Sequence, residues 1–91
     1  MKNEVDKLLN RHKLLVHSEH KRVVSHVQRK NEGWIINTVM LQDYSVPFRF
    51  KRKNAYKNLK GMFVNLTYYP KAETVAGIEV EVMNVIRIRT T

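Results

Sequence analysis

The most suggestive chemistry in this chain is a run of cations. Residues 49–60 hold Arg49, Lys51, Arg52, Lys53, Lys57 and Lys60 and no carboxylate, in a chain of 91 residues with a formal charge of +9. Two thirds of the excess therefore sits in twelve positions. Cations spaced along a strand and the turn after it can follow a phosphate backbone and release its condensed counterions, and arginine can also fork onto a phosphate. Six such contacts would give a log–log salt slope of about −4 to −5. Aromatic rings interleave with the run at Phe48, Phe50 and Tyr56, and base stacking on such rings is worth about 1 to 3 kcal/mol each. Strict alternation in Val46-Pro47-Phe48-Arg49-Phe50-Lys51 sends Phe48 and Phe50 opposite to Arg49 and Lys51, so those two rings belong to a core. Tyr56, Tyr69 and Tyr44 are the freer rings, and Tyr56 alone lies within the run. The expected nucleic-acid contacts are thus Arg49, Lys51, Arg52, Lys53, Tyr56, Lys57 and Lys60, on DNA or RNA with little sequence preference. The bland alternative is a solvated edge strand kept from aggregation by its lysines.

Other constellations are weaker. Of the four histidines at 12, 17, 20 and 26, only His17 and His20 have the spacing of a helical ligand pair, and no third ligand stands beside them, so no metal site is expected. His12, Glu19 and His26 are seven apart, as polar residues in a coiled-coil seam would be, which would favour a homodimer. Glu79 and Glu81 share a strand face with Arg87 and Arg89, so a salt-bridged surface is expected there rather than a carboxylate pair for catalysis. There is no cysteine and no glycine-rich phosphate loop, and neither catalytic residues nor a cofactor are expected. The opening MKNEVDKLLN has no seven-residue apolar core and does not read as a secretory signal. No apolar run is long enough for a membrane span, and a cytoplasmic protein is expected.

The elements that must position these residues follow from periodicity. Apolar residues at 5, 8, 9, 15, 16, 23 and 27 fall on one broad helical face, with Asn3 as an N-cap. Past Val16 two readings stay open. The helix runs on to Lys30, breaking at His17-Ser18, or residues 21–29 are a strand that turns through Lys30-Asn31-Glu32-Gly33; the helical reading is preferred. Trp34–Leu41 is apolar on both faces, as a central strand would be. Residues 46–53 make an edge strand because Pro47 lacks an N–H. Residues 54–61 fit one helical turn, 62–69 a strand stopped by Pro70, and 71–77 a connection. The last strand begins at Ile78 and needs a bend or bulge near Asn84 to fit a small sheet. The expected fold is α+β, a single domain over 1–91. A helical N-terminal region (1–32) precedes a four- or five-stranded antiparallel meander (33–91) that curls into a partial barrel or packs on the helix.

The block Val46-Pro47-Phe48-Arg49-Phe50-Lys51-Arg52-Lys53, with Asn58-Leu59-Lys60-Gly61 and Val64-Asn65-Leu66-Thr67-Tyr68-Tyr69-Pro70, resembles segments of a family of short uncharacterised bacterial proteins. The resemblance covers the last 55 residues. It implies a bacterial cytoplasmic protein and carries over no activity and no site residue. If residues 21–29 are a first strand, the order strand, strand, strand, short helix, strand, strand is that of the oligonucleotide-binding fold. Two functions follow as expectations. One is non-specific nucleic-acid binding through 49–60. The other is a protein-interaction module or homodimer built on the N-terminal helix, its charge serving solubility or an acidic partner.

Overall fold

The computed structural model describes residues 15–91 and is all β among them. Five strands, β1 (Val16–Asn31), β2 (Trp34–Leu41), β3 (Phe48–Arg52), β4 (Phe63–Val75) and β5 (Ile78–Thr90), form one mixed sheet. It closes in a ring in the order β1-β2-β3-β5-β4. Four of the pairings are antiparallel and one, β3 with β5, is parallel. The expected meander is therefore corrected: β5 does not follow β4 across to a free edge but returns to lie beside β3. That parallel seam is short, Phe48 opposite Met83 and Arg49 opposite Asn84.

The expected helix over 16–30 is also corrected, since these residues are β1; its portion over 1–14 lies outside the described residues. The helical spacing came from irregularities. β1 slips register between Ser18 and Lys21 against β4, and again between Val23 and Ser25 against β2. Each slip inserts one extra residue and resets the alternation, so the inward residues do not fall two apart. Glu19 and His20 together oppose Asn65, and His20 takes a left-handed φ of 53°. Its unpaired amide donates to Asn65 Oδ1 at 2.8 Å. The bends let one 16-residue strand pair with β4 through its first half and β2 through its second.

Both long hairpins turn on two residues with positive φ, Glu32-Gly33 (52° and 81°) and Ala76-Gly77 (50° and 80°), the pattern of type I′ turns. β4 does not stop at Pro70, as expected, but runs on to Val75. Pro70 is tolerated because β1 begins opposite Tyr68, so β4 beyond that point pairs only with β5. The result is a two-stranded arm, residues 69–82, projecting from the ring.

The core inside the ring is built from Val23, Val39, Leu41, Phe48, Phe50, Val64, Leu66, Tyr68, Val85 and Ile88. Phe48 and Phe50 are buried there, as the alternation required. One end is closed by the β3–β4 connection, residues 53–62, which is not helical. Leu59, fully buried, is its plug. Two side chains of β1 hold the plug from beneath. Gln28 bonds both ways with the Tyr56 backbone, donating from Nε2 to its carbonyl and accepting its N–H on Oε1 at 3.0 Å. The Leu59 N–H donates to His26 Nδ1 at 2.9 Å, so that nitrogen is bare and the proton lies on Nε2, which donates to Asn37 Oδ1 at 2.8 Å. Asn37 is the one fully buried polar side chain among the described residues, and this relay is what satisfies its oxygen.

Candidate nucleic-acid interface

Residues of β1, β2 and β3 that point away from the core align in rows across the sheet. Arg29 lies opposite Ile36, and Ile36 opposite Lys51; one row along, Val27, Thr38 and Arg49 align in the same way. At the hairpin end, Asn31 lies opposite Trp34, and the Lys53 ammonium sits 4.2 Å from the centre of the Trp34 ring. Neighbouring strands are about 4.8 Å apart and alternate residues on one strand about 6.6 Å. The Cα atoms of Arg29 and Lys51 are therefore about 9.6 Å apart across Ile36, and those of Lys51 and Lys53 about 6.6 Å apart. Between the rows lies an open concavity of about 500 Å³, with Ile36 and Thr38 in its floor and Arg29, Lys30 and Arg49 around it.

Arg49 differs from the other cations. Its Nη1 binds Glu73 of the projecting arm at 2.5 Å, the one ion pair among the described residues, with both side chains about a third exposed. Its Nε is buried and has no acceptor among the described residues. The guanidinium thus ties the arm to the β3 edge of the concavity and retains donors beyond that bond. Among the described residues Arg29, Lys51 and Lys53 have no such carboxylate.

The structure divides the seven residues expected from sequence. Arg49, Lys51 and Lys53 share the outer face. Arg52, next along β3, points the other way, its guanidinium 5.1 Å from the Phe50 ring and 5.6 Å from that of Tyr56. Tyr56 is not a free stacking ring: it packs edge-on to Phe50, 5.6 Å between centres, as part of the plug. Lys57 and Lys60 are exposed on the connection that closes the end of the ring. Two residues join the site that the run did not include. The preferred helical reading leaves Arg29 off the sheet, and the alternative strand reading of 21–29, which the structure bears out, places it opposite Ile36. Trp34 stands in the sequence only as the first residue of an apolar strand, with no pairing to bring it to Lys53.

Elsewhere, the Tyr44 phenol sits below its ordinary value of 10.0, chiefly through the Ser18 hydroxyl, with the Lys21 ammonium adding to it and burial opposing. Lys21 Nζ lies 5.7 Å from the Tyr44 ring centre. The Ser18 hydroxyl also hydrogen-bonds the Tyr68 hydroxyl at 2.9 Å. No three His, Asp or Glu side chains among the described residues converge as metal ligands would. The coiled-coil seam is corrected over its described part. Glu19 and His26 are strand residues, the first exposed in a bulge and the second turned to the plug; His12 lies outside the described residues. Comparison with known proteins finds no matching family, no matching curated protein and no matching solved structure.

Proposed function

We propose that this chain is a nucleic-acid-binding module that takes a single strand on the outer face of β1, β2 and β3. Arg29, Lys51 and Lys53 contact phosphates, and the Trp34 ring stacks on a base. The observation that carries this reading is one outer face that holds three cations with no carboxylate partner among the described residues, Arg29 and Lys51 flanking Ile36 in one row and Lys53 over the Trp34 ring at the hairpin end. The ring order β1-β2-β3-β5-β4, with β1 shared between both halves and β3 parallel to β5, agrees with an oligonucleotide-binding fold, whose β2–β3 face takes such ligands. A concave face with a stacking ring suits unpaired bases, which a duplex does not offer.

Three phosphate contacts give a salt slope of about −2 to −3. Anisotropy of a labelled single-stranded oligonucleotide at two salt concentrations measures it. The triple variant Arg29→Glu, Lys51→Glu, Lys53→Glu is expected to bind at least ~10-fold more weakly with the slope abolished. Binding unchanged in that variant refutes the reading.

A second reading, a protein-interaction module, is favoured by the tip of the arm. Val75 and Ile78 face each other there and are 53% and 66% exposed, on strands with no outer neighbours. Sedimentation at micromolar concentration tests it: a dimer that Ile78→Lys dissociates supports self-association, and a monomer throughout counts against it.

A further inference from the structure

We propose that the chain carries a second phosphate-binding face, on the outside of β4, β5 and the first half of β1, so that one molecule holds two segments of nucleic acid. This rests on the reading above and extends it to the other side of the ring.

A bulge in β5 shapes this face. In β5 the register against β4 slips between Val85 opposite Tyr68 and Arg87 opposite Thr67, leaving Ile86 as an extra residue, 54% exposed. With unbroken alternation Arg87 and Arg89 would share the inward face of Val85. The slip turns them outward, and Ile88 turns inward in their place. It also separates them from Glu79 and Glu81, with which an ion-paired surface was expected; among the described residues the one ion pair is Arg49 with Glu73. Bulges commonly re-aim a side chain where a site needs it.

The outward arginines meet compatible neighbours. His17, Thr67 and Arg87 make one row across β1, β4 and β5, with His17 Nδ1 and Thr67 Oγ1 2.8 Å apart. Arg89 lies opposite Asn65 in the next row. The His20 ring, carried on the β1 bulge, stacks flat on exposed Phe63, 4.3 Å between centres and 5° from parallel. Arg87, Arg89, His17 and Thr67 border a shallow concavity of about 220 Å³. Glu19 is the one carboxylate on its border. Two arginines, a hydroxyl and an aromatic pair repeat the chemistry of the first face: forked donors for phosphate and a flat ring beside them. Because Arg29 and Lys51 stand on the β2 side of β1 and Arg87 and Arg89 on the β4 side, one short strand does not serve both.

The test is capture of a second strand. Full-length protein is bound to a biotinylated single-stranded octamer on beads, washed, and offered a fluorescent octamer. The wild type is expected to retain it, with a salt slope of about −1.4 to −1.8 for this second event, from two arginine–phosphate contacts. Arg87→Gln with Arg89→Gln is expected to keep the first octamer and lose at least ~10-fold of the second, and Arg87→Lys with Arg89→Lys to restore most of it. Equal capture by the double glutamine variant, through a dimer or otherwise, overturns the second face and leaves the first standing. Failure of the wild type to bind any octamer overturns both.

Discussion

Replacing His26 with alanine tests whether the relay beneath the plug holds the ring end closed. The substitution removes the acceptor of the Leu59 N–H and the donor to Asn37 Oδ1, both on fully buried residues. A buried polar group left unpartnered costs about 1 to 3 kcal/mol, so the two together cost about 2 to 6 kcal/mol. A chain of this size is stable by roughly 5 to 14 kcal/mol, and the variant would lose a large share of it. In thermal unfolding each kcal/mol moves the midpoint of so small a domain by about 4 to 8 °C, so a drop of at least ~8 °C is expected. Urea unfolding followed by circular dichroism gives the free energy directly. The partner substitution Asn37→Leu removes the buried oxygen that His26 serves, so on the His26→Ala background it should cost less than on the wild type. A loss under about 1 kcal/mol for His26→Ala, or strict additivity with Asn37→Leu, would refute the relay as a determinant of stability.

Other outcomes follow from the same geometry. Glu73→Gln releases Arg49 from its one ion pair and should strengthen oligonucleotide binding and steepen the salt slope by about 0.7 to 0.9; an unchanged slope means that Arg49 does not reach phosphate. Trp34→Ala should weaken binding by about 1 to 3 kcal/mol, and wild-type tryptophan emission that does not change on saturation would show that no base stacks there. Absorbance at 295 nm should begin to rise below pH 10.0, and Tyr44→Phe should remove that early component. Because the folded chain favours the Tyr44 phenolate, its stabilising contribution is complete above the unfolded value near 10 and lost as pH falls through the lower folded value. Unfolding free energies of the wild type and Tyr44→Phe across that window should therefore diverge as pH rises.

The legible parts of the fold were those where alternation is unbroken. Trp34–Leu41 read as a strand, but only its Asn37, Val39 and Leu41 face is covered and the Trp34, Ile36 and Thr38 face is open; Phe48 and Phe50 read as core opposite Arg49 and Lys51 because that stretch has a period of two without interruption. For β1 the strand reading of 21–29 holds and the preferred helical one does not, because its two slips place inward residues at spacings a helix also satisfies. A bend in β5 was anticipated near Asn84 and lies two residues later, at Ile86; those two residues decide that Arg87 and Arg89 face solvent rather than the core. Pro70 looked like a stop because sequence does not reveal that β1 leaves β4 two residues earlier. The parallel seam of β3 with β5 is two residue pairs long, too short to leave a pattern. The same limits apply to the candidate site. The three outward cations of β3 and its extension follow from alternation, but Arg29 and Trp34 join them only through the hairpin pairing of β1 with β2.

The long β1 also has a kinetic consequence. Its first half pairs with β4, His17 opposite Thr67, fifty positions along the chain. The β1–β2 and β4–β5 hairpins are local and close on two-residue turns, events of about 1 to 10 μs. Joining them requires a long loop to close before its contacts are gained, so ring closure should limit the folding rate. During synthesis β1, β2 and β3 emerge first, with the far edge of β1 and the inner faces of Phe48 and Phe50 uncovered until β4 and β5 follow. A ribosome-bound chain halted before Ile78 would thus be sticky and open to proteases, and protection should arrive abruptly once the last strand is free to pair.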